Sequence, residues 1–172
     1  MGLIRGAIDR VILVAAILAG GCVPSFIAQY RQRVGGRLDQ VVLDLAPFQA
    51  IARRDFGGSL DALIAHHRAS VDAAFPREGD AIQQMVDAAA RLREAARALD
   101  ADLYGQFAWL LRHVDWDLAG ATWSAWRPAF DFSIEGLTFA ICVGLALWAA
   151  FLLLWQAAAA SFGPARIPGP RH

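Results

Sequence analysis

Histidines, paired aspartates and two cysteines are the residues whose types could do chemistry in this chain. His66 and His67 are adjacent, so on a helix their rings diverge by about 100°, a poor arrangement for joint metal ligation. His113 could join one of them from a second helix, but in such polar surroundings all three read first as surface residues. Asp115 and Asp117 flank Trp116 and look like paired carboxylates. Residues two apart on a helix do not face each other, so they do not form a general acid–base pair. Cys22 and Cys142 have no ligand-like neighbours at metal spacing and lie in apolar segments, where a thiol serves as a small hydrophobe. Glu135 and Gln156 sit at the two ends of an apolar run, an interfacial position rather than an ion path. The chain has no glycine-rich phosphate loop, no His-Glu-x-x-His and no Gly-x-Ser-x-Gly. No catalytic residue, cofactor or metal is expected, and the chain is not expected to be an enzyme.

Aromatic residues offer a weaker signal. Trp109, Trp116 and Trp123 recur at seven-residue steps, and Trp126 follows. Indole has an apolar body and a polar tip, which suits core packing and a membrane-interface belt. The sharper alternative is an aromatic site for a cofactor or lipid head.

The element that positions everything else is the stretch of residues 136–165, which contains no charged residue. Its core, residues 137–155, supplies the roughly 20 apolar residues that cross a bilayer as a helix. A second apolar run covers residues 11–30. It competes between a retained membrane helix, a cleaved signal peptide and a lipoprotein signal ending at Cys22. Leu18-Ala19-Gly20-Gly21-Cys22 resembles a lipobox, but its large aliphatic residue lies four positions before the cysteine rather than three. The run continues through Val23, Phe26 and Ile27, which favours a retained helix. The whole chain, 172 residues with 57% hydrophobic and 19% charged, is more apolar than a typical soluble domain. All 16 basic residues are Arg, balanced by 16 acidic ones. Between Ala28 and Phe132 there are 12 Arg and 14 Asp or Glu, a balance of −2, so no basic surface points to nucleic acid.

Between the apolar runs the period is that of amphipathic helices. Tyr30 suits a membrane boundary, Arg31 and Arg33 the headgroup zone, and Gly35-Gly36 predicts a break. Leu38, Val41, Leu45, Phe48 and Ala52 form a stripe that Pro47 interrupts or kinks. Ser59 reads as the N-cap of a short helix over residues 60–69. Residues 73–79 read as a connector. Asp80 with Gln83 resembles a capping box that opens a long helix over residues 80–113. Ile82, Ala89, Ala96, Leu103 and Leu110 repeat every seven residues along it, a coiled-coil-like line. Met85, Leu92 and Leu99 form a second line. This stripe needs a partner, and the helix from Leu38 is the nearest. Asp131 or Ser133 caps the second apolar helix, with Glu135 in its first turn. The tail from Phe162 is rich in Pro and Gly and reads as disordered.

Three stretches carry a family resemblance. They are Pro24-Ser25-Phe26 through Gln29-Tyr30 to Arg33-Val34-Gly35-Gly36; Gly58-Ser59-Leu60 through Leu63 to His66-His67-Arg68-Ala69-Ser70; and Arg127-Pro128-Ala129 with Glu135-Gly136-Leu137. In this order and spacing the chain resembles a family of uncharacterised bacterial membrane proteins, the domain of unknown function 2937. Asp131 departs from it where a second Pro is expected. The resemblance implies a retained first membrane helix and argues against lipoprotein processing. It implies no activity.

The expected fold is an all-α membrane protein in which two transmembrane helices flank an extramembrane amphipathic helical hairpin or small bundle. Its segments are a first membrane helix (1–30), a helical domain (31–130), a second membrane helix (131–160) and the tail (161–172). The expected setting is a bacterial inner membrane, crossed twice with both termini cytoplasmic. The expected partners are the lipid bilayer and another membrane protein or a second copy. The leading function is a scaffold or accessory subunit, with Tyr30, Arg33, Gly35, Gly36, Trp123 and Trp126 as candidate interaction residues. Pro128, Glu135, Gly136, Ala140 and Gly144 complete that set, because small residues allow close helix approach. Two alternatives stand beside it: a ligand-sensing helical module between two membrane spans without its own output domain, and a lipoprotein or secreted helical protein if the N-terminal segment is cleaved.

Overall fold

The computed structural model describes the backbone of residues 2–161 and the side-chain surroundings of residues 6–157. The tail expected from Phe162 lies outside the described residues. Among those described there are six helices and no strand: α1 (Gly2–Asp55), α2 (Leu60–Arg68), α3 (Ala74–Ala98), α4 (Leu103–His113), α5 (Trp116–Ala125) and α6 (Ile134–Ser161). α1 and α6 are long and apolar enough to cross a membrane. The contacts fall into two compact units. One takes the described residues up to Ser25 and from Pro128 onward; the other is Phe26–Arg127.

In the first unit, the early part of α1 packs against α6 through small residues. A Cβ at Gly20 would lie 3.1 Å from the Ala140 carbonyl oxygen, and one at Gly144 would lie 2.6 Å from Ile17 Cγ1. The two backbones meet where neither carries a side chain, as the small-residue faces of the sequence predict. Gly21 makes room for the Phe130 ring, which occupies the space a Cβ would take. Pro24 has no N–H to close the helical turn behind it. One residue along, the Gly21 carbonyl accepts a hydrogen bond from the Asp131 N–H at 3.1 Å. Ser133 is the residue before α6, and its hydroxyl accepts from the Gly136 N–H at 2.9 Å. Asp131 supports that cap by accepting from the Ser133 N–H at 2.8 Å. Both thiols are free, with Cys22 half-buried and Cys142 exposed.

The second unit corrects three local expectations. Gly35-Gly36 does not break the chain, because α1 runs through both and through Pro47 as far as Asp55. Both glycines keep helical backbone and open surroundings, so the cost is the roughly 1 kcal/mol that glycine carries in a helix. The helix ends instead at Gly57 and Gly58, at φ 59° and 87°. The Gly58 N–H reaches back six residues to the Ala52 carbonyl at 2.9 Å, a Schellman closure. Second, residues 73–79 are not a connector. α3 begins at Ala74, and Pro76 is its third residue, where a missing N–H breaks no intrahelical bond. Asp80 is therefore no cap; it pairs with Arg68 at 2.8 Å.

Third, the single helix expected over residues 80–113 is two helices. The Asp102 carboxylate accepts from the Gly105 N–H at 2.7 Å and caps α4. Aspartate competes with the helical backbone in a helix interior and favours an N-cap, so the chain bends there. The heptad line accordingly stops near the end of α3. Its partners divide into two clusters rather than one continuous coiled-coil seam. Leu45 of α1, Ile64 of α2, and Ile82 and Ala89 of α3 form one, with Val41, Phe48 and Met85 against it. Tyr30 and Val34 of α1, Leu99 and Leu118 form the other. The expected packing of the 38–52 stripe on the helix from Asp80 is present. Ser59 caps α2 as read, accepting from the Ala62 N–H at 3.1 Å.

Candidate functional site

A groove of about 490 Å³ opens in the second unit between α1, α3 and α4. Helical spacing builds it. Val34, Arg37 and Val41 share one face of α1, and Ala88, Arg91, Leu92 and Ala95 one face of α3. Ala88 and Ala95 contribute little volume, which leaves the space open. Trp109 and His113 of α4 close a third side. Their rings stack with centroids 5.4 Å apart, and His113 Nδ1 lies 3.3 Å from the Trp109 carbonyl.

Tyr30 forms part of the wall and is only 1% exposed. Its phenol oxygen accepts a hydrogen bond from the Asp115 N–H at 3.1 Å. Among the described residues nothing accepts the phenol's own proton. Burial pushes the Tyr30 pKa up, the Asp115 amide pulls it down, the Asp115 carboxylate adds to the rise, and the charge of Arg37 opposes it. The phenol therefore stays a protonated donor through the neutral range. Asp115 does not pair with Asp117; it is the N-cap of α5, accepting from the Asp117 and Leu118 N–H groups, both at 3.0 Å. Among the described residues Arg37 and Arg91 form no ion pair.

The expected interaction residues are distributed rather than gathered. Tyr30, expected at a membrane boundary, lies in the core of the second unit and lines the groove. Arg33 is half-buried on α1, one turn beyond. Gly35 and Gly36 sit inside the helix. Trp123 and Trp126 lie tilted against each other, centroids 5.1 Å apart, with Phe26 against both. Pro128 is exposed in the link before α6, and Glu135 is exposed in its first turn. Gly136, Ala140 and Gly144 are buried on α6. Gly136 faces Asp131, Ala140 meets Gly20, and Gly144 meets Ile17. His113 lines the groove, whereas His66 and His67 do not. His66 lies against Phe56, and His67 lies against Phe75 and 3.4 Å from Glu78.

Sequence reasoning missed two features. Arg37 and Arg91 were not singled out as parts of a site; their signal was position, seven residues after Tyr30 and between two alanines on one face. The other is a hydrogen bond of 2.8 Å from Trp148 Nε1 on α6 to Asp9 Oδ1 on α1. Nothing local to Asp9 marks this partner, and only the antiparallel register of the helix pair brings it to Trp148.

The model of the family described as "Protein of unknown function (DUF2937)" matches residues 4–163. No curated protein and no solved structure matches the chain.

Proposed function

The chain belongs to the DUF2937 family of proteins of unknown function, and we propose that it is a two-span membrane protein whose helical unit, Phe26–Arg127, holds a small molecule in its groove. Exposure supports the membrane reading. Only 22% and 17% of the apolar windows of α1 and α6 are buried, whereas an equally apolar helix in a soluble core would be mostly covered. Val11 is 67% exposed and Leu154 70%. Apolar surface costs about 25 cal/mol per Å² in water, and a bilayer removes that cost. In this reading the first span is the apolar part of α1 up to Ser25, and the second is α6. The long loop between them translocates largely regardless of charge, which puts both termini in the cytoplasm of a bacterial cell. A C-terminal phosphatase fusion that is active outside the cytoplasm would reverse that orientation.

The groove carries the functional half of the reading. It is mostly apolar, holds a few convergent donors and has the size of small-molecule sites, about 300–1,000 Å³. The competing reading, an accessory subunit docked on a foreign membrane protein, drew its support from small-residue faces. Gly20, Ala140 and Gly144 are occupied within the chain, so that support falls to the exposed indoles of Trp116 and Trp123.

A thermal-shift screen of small molecules on the full chain in nanodiscs tests the reading, run beside Ala95→Trp, which fills the groove. A ligand at about 100 times its Kd adds roughly 2.7 kcal/mol of stability. A compound that stabilises the natural chain and not the filled variant is the expected result. Compounds that stabilise both equally, with a stoichiometric protein partner from native membranes, would favour the accessory subunit.

A further inference from the structure

The polar groups of the groove are dominated by donors, and this limits what it can hold. Tyr30 is almost wholly buried, and its oxygen is already engaged by the Asp115 N–H. Its remaining capacity is as an O–H donor, facing a cavity that it lines. A buried donor without an acceptor costs free energy, so the arrangement calls for an acceptor from outside. Arg37 is close enough to act electrostatically on the phenol, and its guanidinium has only donors to offer. Arg91 enters from α3 on the other side, also without a carboxylate partner.

Two acidic residues line the same groove. The Asp115 carboxylate caps α5, with its Oδ1 committed to the Asp117 and Leu118 N–H groups. Glu94 is the other, and with Asp115 it balances the formal charges of Arg37 and Arg91, so the groove favours an anion through its donors rather than through net charge. Gln40 and His113 complete the polar lining, and the rest of the wall is apolar: Val34, Val41, Leu92 and Leu118, with the Trp109 ring.

The geometry points to a monoanionic amphiphile as the ligand of this groove: a carboxylate held by Tyr30 Oη–H, Arg37 and Arg91, with a short aliphatic or aryl body on the apolar wall. Carboxylate fits because it is acceptor-only and takes paired guanidinium N–H groups in plane. A donor-only group such as an ammonium would leave the Tyr30 proton unpaired. A dianion would add a second negative charge to a lining whose formal charges already cancel. The inference rests on the groove being a binding site, as proposed above.

Binding of octanoate, octanol and octylamine to the full chain in nanodiscs, against empty nanodiscs, tests it by equilibrium dialysis. The natural chain is compared with Arg37→Gln/Arg91→Gln and with Ala95→Trp. The two arginines are exposed, so their replacement leaves the core untouched, and a thermal melt checks this. Saturable octanoate binding, at least about tenfold tighter than octanol and lost by a similar factor in the double variant, is the expected result. Tenfold corresponds to about 1.4 kcal/mol, the scale of one charge-assisted hydrogen bond. Equal binding of octanol and octanoate, abolished by Ala95→Trp, would overturn the anion and leave the groove standing. Preference for octylamine would do the same, with Glu94 as the anchor. Binding that Ala95→Trp does not change, or no saturable binding of any of the three, would overturn the anionic ligand, and only the thermal-shift screen could then uphold the groove.

Discussion

Trp148 and Asp9, 139 residues apart, are joined by a 2.8 Å hydrogen bond from indole Nε1–H to carboxylate Oδ1 within the unit built from α1 and α6. Nearby, the same helices meet at Gly144 and Ile17. Trp148→Phe would leave the half-buried Asp9 oxygen without its donor, a loss of roughly 1–3 kcal/mol, toward the lower end in a bilayer. Replacing both, as Asp9→Leu/Trp148→Phe, removes the orphan and is expected to recover much of that loss. A double-mutant cycle by thermal unfolding in nanodiscs measures it. Purely additive losses would show that the pair is not coupled.

Gly144→Leu tests the close approach itself. Its Cβ alone would stand 2.7 Å from Ile17 Cα, a backbone atom that cannot rotate away. Overpacking of this kind costs at least about 1–3 kcal/mol. The variant is expected to melt lower and, with the helices pushed apart, to raise crosslinking between copies. An unchanged melting temperature would mean that α6 meets α1 elsewhere.

Gly35→Ala and Gly36→Ala are expected to act in the opposite direction. Each added methyl meets nothing within 4 Å, and both positions are helical. Each exchange should stabilise the chain by about 0.5–1 kcal/mol. A drop in stability would restore the bend that the glycine pair suggests.

Periodicity and end signals were legible where local chemistry decides structure. Ser59 was readable as a cap, and the Val41–Leu45–Phe48 stripe found its partner on α3. The glycines of the apolar runs were readable as contact points because only backbone can approach backbone there. Gly35-Gly36 misled because packing on both sides of a pair outweighs a glycine's small helix cost. Asp102 was missed because one aspartate in a strong heptad pattern looks like a tolerated surface charge. The groove was illegible for a different reason. It depends on which faces of α1, α3 and α4 converge, and Arg37 and Arg91 carry no local mark of that.

Leu99 is fully buried beside Tyr30, Val34 and Leu118. Leu99→Ala should cost about 2–5 kcal/mol through lost transfer energy and the cavity left behind. Chemical unfolding of the full chain, with unchanged recovery from membranes, is the measurement. A loss below about 1 kcal/mol would mean that the cluster is loosely packed.

Tyr30 links stability to alkaline pH. Burial raises its pKa above the ordinary value of 10.0. A group raised on folding contributes stability that is fully present below its unfolded pKa and is lost as pH rises through the folded one. Unfolding should therefore become easier only above about pH 10. In Tyr104→Phe the remaining tyrosine is Tyr30, and its tyrosinate absorbance should appear later than that of a free tyrosine. Ionisation at or below the free value would show the phenol to be solvated.

Native mass spectrometry of the full chain released from nanodiscs reads the occupancy of the groove and the presence of any partner in one spectrum. The expected spectrum is a monomer carrying one small ligand, with the adduct absent from Ala95→Trp and weakened in Arg37→Gln/Arg91→Gln. A stoichiometric foreign protein, with no small-molecule adduct on the natural chain, would contradict it.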